Sequence, residues 1–162
     1  MKEVQFDIKD IEIYARVKAE SGFTAQIKSV AGQPGKLTSL TIATDDEKGI
    51  LDEYIQQAIN ECIVTISRNL SQCSASEAEE TSDNKYKIHY FNLALPGNYP
   101  EEYIVLLENI VMDFICNRCL QLWYMLVKAE EANTAAMKAQ SSMALLRDML
   151  SMRAKPHKKL LL

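Results

Sequence analysis

The stretch that decides the fold runs from Pro100 to Arg153, PEEYIVLLENIVMDFICNRCLQLWYMLVKAEEANTAAMKAQSSMALLRDMLSMR. After its first residue it contains neither proline nor glycine, and helix-forming residues fill it throughout. Tyr103 to Val127 is apolar nearly all round, whereas Lys128 to Arg153 is richer in Ala, Met and polar residues. Stepping residues at 100° gathers Glu102, Asn109, Asp113, Asn117, Gln121 and Lys128 into one arc of roughly 120°. The remaining arc is apolar except for Glu108 and Arg118. A helix greasy on most sides has to be enclosed, and the rest of the chain offers few elements to enclose it. Neighbouring subunits are therefore expected to complete the cover, with Leu107, Val111, Phe114, Leu122, Met125 and Arg118 at a subunit interface. Arg118, in the middle of the apolar arc, requires a carboxylate or must snorkel. Its partner is expected either on the preceding helix, at Asp52 or Glu53, or across a subunit boundary. The stretch reads as one helix of about 80 Å, or as two helices broken near Asn133-Thr134.

Upstream, Val4, Phe6 and Ile8 alternate with polar residues, which favours a short strand over residues 3–8. Residues 10–20 read as a helix with the stripe Ile11, Tyr14, Ala15 and Val17, ended by Gly22. Gly32-Gln33-Pro34-Gly35 marks a turn, and Leu37 to Ile42 a strand. Thr44-Asp45-Asp46-Glu47 matches a capping box. Behind it Leu51, Ile55, Ala58, Cys62 and Ile66 fall at helical spacing, so a helix is expected over about 45–70. The Ser-rich acidic segment 71–84 has little to bury and reads as a mobile loop. Tyr86, Ile88 and Tyr90 alternate with Lys87 and His89, which predicts a strand over 86–95, followed by a turn at Leu95-Pro96-Gly97-Asn98. The expected fold is mainly α, with three or four helices, a long C-terminal helix or helix pair and a small β element. Residues 1–152 form a single domain, and 153–162 a basic tail.

The composition is that of an ordinary globular chain: 162 residues, 48% hydrophobic, 25% charged and a net charge of −4. Nothing global points to nucleic acid. The N-terminal residues lack the apolar core of a signal peptide, and Cys62, Cys73, Cys116 and Cys119 do not resemble a disulfide framework. A cytoplasmic setting with reduced thiols follows as the expectation. Tyr103–Val127 is long enough for a bilayer span, but Glu108, Asp113 and Arg118 within it argue against a membrane.

Few residues offer chemistry. Cys116-Asn117-Arg118-Cys119 has C-x-x-C spacing, but it lies inside an apolar helix rather than at an exposed helix start, which reads as buried thiols. His89 and His157 are the two histidines, and neither has a metal-ligating companion at recognisable spacing. There is no nucleophile elbow, phosphate loop or dinucleotide fingerprint. No catalytic residue, metal ligand or cofactor is expected. The tail carries Arg153, Lys155, Lys158 and Lys159, then Leu160, Leu161 and Leu162. Three readings stand for it: a basic end that complements the helix dipole, a docking element, or a weak, salt-sensitive contact with DNA.

The order of parts resembles a known family. TIATDDEKGILDEYIQQAINECI at 41–63, LALPGNYPEEY at 93–103 opening a long helix, and RAKP at 153–156 before a basic tail resemble small virion proteins of phages and prophages of Bacteroides-type gut bacteria. The layout is similar to that of head–tail connector, or adaptor, proteins of tailed phages. The resemblance implies a non-enzymatic ring of about a dozen copies at the portal vertex. In it the 100–153 helices would form the wall, and the 71–84 and 153–162 segments would dock portal, tail or collar proteins. The strand-like segment 86–95 exceeds what a minimal helical connector needs. Alternatives are a tail-completion or other collar protein, and a cytoplasmic helical module that binds peptides or regulates a client.

Overall fold

The computed structural model describes residues 1–30, 47–81 and 84–152, without the side chains of 27–30, 80, 81 and 84. The turn at 32–35, the strand at 37–42, most of the capping box and the tail at 153–162 fall outside them. The elements run β1 (Lys2–Lys9), α1 (Asp10–Val30), α2 (Lys48–Ile66), β2 (Leu70–Thr81), β3 (Asn84–Leu95), a 3-10 turn (Glu101–Tyr103), α3 (Ile104–Val127) and α4 (Ala129–Leu150). Among the described residues the fold is mainly α, with four helices and a small antiparallel sheet ordered β1-β3-β2.

The alternation in β1 turns Val4, Phe6 and Ile8 into the core, where Phe6 stacks on Phe91 of β3 with ring centroids 5.3 Å apart. In β3 the inward set is His89, Phe91, Leu93 and Leu95. Ile88 and Tyr90, on the opposite face, are only half-buried. The tyrosine-rich set that signals a strand in the sequence is thus the outer face, because the longer apolar run 91–95 governs which side is buried.

α1 does not stop at Gly22. Ile13, Val17, Ser21 and Ala25, spaced four apart, form one buried stripe that passes straight through that glycine. The stripe centres on Ile13 rather than Ile11, and Ala15 is exposed. A glycine inside a helix costs about 1 kcal/mol relative to alanine and does not by itself end the helix. α2 buries Leu51, Ile55, Ala58, Ile59, Cys62 and Ile66 at the expected spacing.

Up to Thr81, the expected loop at 71–84 is instead the edge strand β2. Its side chains are mostly exposed, so no apolar alternation announces it. It is held by the backbone ladder to β3 and by cross-strand charge pairs: Glu79 faces Lys85, 3.3 Å apart, and Glu77 faces Lys87.

The described part of the 100–153 stretch holds two helices rather than one. Pro100 precedes the 3-10 turn, and α3 begins at Ile104. The break lies at Lys128 rather than near Asn133, with an extended backbone (φ −162°, ψ 103°) and an N–H donating to the Tyr124 carbonyl at 2.6 Å. From there α4 folds back along α3, with Ala132, Ala135 and Ala139 buried in the contact. Small residues let the two helices approach closely.

This reversal overturns the expectation that one copy cannot wrap the apolar helix. α1, α2, α4 and the sheet all pack on α3. Leu107 and Val111 are fully buried and Phe114 is 4% exposed. Those three side chains are core within one chain, not an uncovered interface. Leu122 is half-buried, and Met125 remains 62% exposed. Asn117, on the polar arc of the wheel, is buried and donates its amide to the Asp113 carbonyl at 2.8 Å. Asp113 itself pairs with Arg16 of α1.

Candidate functional site

α2 and α4 flank α3 without closing over it. Between them runs an open groove of about 550 Å³. Phe114, Arg118 and Gln121 of α3 form its floor, Val64 of α2 lies on one wall, and Ala136, Ala139 and Met143 of α4 lie on the other. Val64 is 73% exposed despite being β-branched and apolar.

Arg118 sits in this groove and answers the question its sequence position poses. Its guanidinium forks onto the Glu61 carboxylate of α2, with Nε to Oε2 at 2.9 Å and the second bond to Oε1 at 2.8 Å. The partner is on the preceding helix, as one of the two readings had it, but it is Glu61 rather than Asp52 or Glu53. Glu61 lies one turn before Thr65 on the wall of the groove. Burial alone would raise the Glu61 carboxyl; the Arg118 guanidinium and the Gln57 amide, donating at 3.1 Å, hold it below the ordinary carboxylate range. Arg118 is 20% exposed and Glu61 38%, so the pair is wet on its outer side. Its chemistry is that of a fixed polar fork beside the apolar side chains Phe114, Val64 and Met143, an arrangement able to orient a bound side chain or helix.

A second polar site lies at the junction of β3 with α1. His89 Nε2 is 2.8 Å from Asp10 Oδ1, with both side chains almost fully buried. Asp10 opens α1, where the helix dipole favours a carboxylate. A small cavity of about 140 Å³ adjoins the pair, walled also by Tyr14, Asp52, Glu77, Lys85 and Lys87. Burial and the nearby Asp10 charge raise the Asp52 carboxyl. The signal that could have found His89 is its register: it is two residues before Phe91 and so shares the inward face. The pair ties sheet to helix. Among the described residues, no cluster of three or more His, Cys, Asp and Glu side chains is arranged to hold a metal ion.

The C-x-x-C cysteines are buried inside α3. Burial pushes the Cys116 thiol up to about 12 and raises Cys119 strongly too. Thiols so perturbed hold almost no thiolate at neutral pH. No helix among the described residues is long and apolar enough to cross a membrane. Arg153, Lys155, Lys158, Lys159 and the three terminal leucines lie outside the described residues. No protein-family model matches the chain, and comparison with curated proteins and with solved structures found no match.

Proposed function

We propose that this chain is an architectural, non-enzymatic protein of a tailed-phage particle, a head–tail connector that joins a ring at the portal vertex. The observation that carries the reading is the open groove over α3, where Phe114, Val64, Ala136, Ala139 and Met143 lie beside the Arg118–Glu61 fork. A folded chain that covers its own core yet leaves this surface uncovered has a surface suited to another protein. The exposed Met125 and Leu126 at the α3–α4 reversal, 62% and 67% exposed, provide a second apolar contact at one end of the molecule. The layout resemblance supplies the phage setting and its partners: copies of itself, the portal, and tail or collar proteins. The basic tail fits a docking element, with weak contact to channel DNA as an accessory role.

The test is particle association. A tagged chain produced during prophage induction should co-sediment with portal-containing particles on a density gradient, and should be absent from particles lacking portal. A chain that stays entirely at the top of the gradient sinks the reading.

A further inference from the structure

The groove has a counterpart on the same helix. α4 turns its buried stripe to α3 and its groove wall, Ala136, Gln140, Met143 and Arg147, to the α2 side. Its back is a third surface. Met137, Ser141, Ala144 and Asp148, at spacings of four, three and four, share this face and all are exposed. A solvent-facing helix surface is ordinarily charged, yet Asp148 is the one charge among these four. The hydroxyl on this back is turned inward: Ser141 Oγ donates to the Met137 carbonyl at 3.0 Å. Thr134, two turns earlier, does the same to the Glu130 carbonyl at 3.4 Å. The face therefore offers mostly carbon to its surroundings. Lys138 and Leu145 border it on one side, and Arg147 on the other.

The groove and the back of α4 are matched in charge. Within the groove Arg118 is matched by Glu61, which leaves Arg147 as the surplus charge of its lining, and Asp148, between the rim cations Lys138 and Arg147, is the charge at the centre of the back. Arg147 and Asp148 are consecutive, so their side chains leave the helix about 100° apart and belong to different surfaces. We propose that a second copy of this chain occupies the groove, the back of its α4 lying over Phe114 and Val64 and its Asp148 meeting Arg147 of the first copy. Small residues at Ser141 and Ala144 let the seated helix approach the floor closely. Groove and back are distinct surfaces, so the contact is head-to-tail, leaves a pair of copies with one free groove and one free back, and repeats around a ring. This deepens the connector reading and rests on it for the biological setting only.

The experiment is a charge exchange read by sedimentation velocity on the full-length chain. Wild type should self-associate as concentration rises. Arg147→Asp and Asp148→Lys each place like charges at the contact and should each weaken association about tenfold or more. Mixing the two variants sets the acidic groove of the first against the basic back of the second, and the unchanged groove of the second against the unchanged back of the first. The equimolar mixture should therefore associate better than either variant alone. Both positions are exposed, and unchanged thermal melts will show that the fold is kept. Independently, a Val64→Cys, Ala144→Cys double variant should give a ladder of intermolecular disulfide-linked species on oxidation. A mixture no better than its components, a wild type monomeric up to about 1 mM, or an oxidised double variant that stays monomeric would each overturn the proposal. A chain that co-sediments with particles but fails these tests retains the connector role and loses this contact; one that passes them but never joins particles does the reverse.

Discussion

Arg118 and His89 are both polar groups set among apolar neighbours, and the structure treats them differently. Arg118 is bidentate to Glu61 but partly wet, so the pair contributes modestly: a double-mutant cycle with Arg118→Met and Glu61→Gln should give a coupling of about 1 kcal/mol or less by urea denaturation. Because the folded Glu61 carboxyl titrates below its ordinary value, this contribution is present above the unfolded pKa and lost as pH falls through the folded one. Stability measured from neutral pH downward should fall less steeply for Glu61→Gln than for wild type in the acid range below about 4.5; identical slopes would mean that the pair does not hold in solution. The Asp10–His89 pair is dry, so removing one member strands the other. Asp10→Ala should cost about 1–3 kcal/mol, and an unchanged melting temperature would show that His89 finds another partner.

Among the elements, those with an apolar stripe were legible in the sequence and those held by the backbone were not. α2 appears where Leu51, Ile55, Ala58, Cys62 and Ile66 place it, and β1 where Val4, Phe6 and Ile8 do. β2 escapes such a reading because Ser71 to Glu79 bury almost nothing, and its ladder to β3 has no signature in side-chain type. The reversal at Lys128 is equally silent: neither glycine nor proline marks it, and α4 folds back because Ala132, Ala135, Ala139 and Leu146 find α3 to pack on. The groove site was half legible, since Arg118 demanded a carboxylate but only the packing angle of α2 selects Glu61; the Asp10–His89 contact spans 79 positions and depends on a strand register. Two substitutions test the reversal. Leu146→Ala should destabilise by about 2–5 kcal/mol if α4 packs on α3 as described, and would be nearly neutral on a free helix. Lys128→Pro removes the N–H bonded to Tyr124 and demands a φ near −65° where the chain holds −162°, a loss of about 3 kcal/mol or more, readable as a lowered melting temperature.

At the scale of the whole molecule, one contiguous core joins β1, β3 and all four helices. That continuity separates stability from assembly. Leu107 and Val111 belong to the core, so Leu107→Ala should destabilise the single chain by about 2–5 kcal/mol. Met125, exposed at the reversal, contributes little to it, and Met125→Glu should leave the melt of the isolated chain unchanged while weakening any contact made by that end. A contiguous core also predicts cooperative unfolding. The chain carries one tryptophan, Trp123, buried near the end of α3. Its fluorescence reports the helix-hairpin end, whereas far-ultraviolet circular dichroism reports every helix. If the sheet, α1 and α2 fold as one body with the hairpin, the two signals should give coincident transitions in urea, with one midpoint and one slope. Trp123 reporting a separate, earlier transition would mean that α3 and α4 gain their cover from other copies after all, because a hairpin that melts alone is one its own chain does not hold.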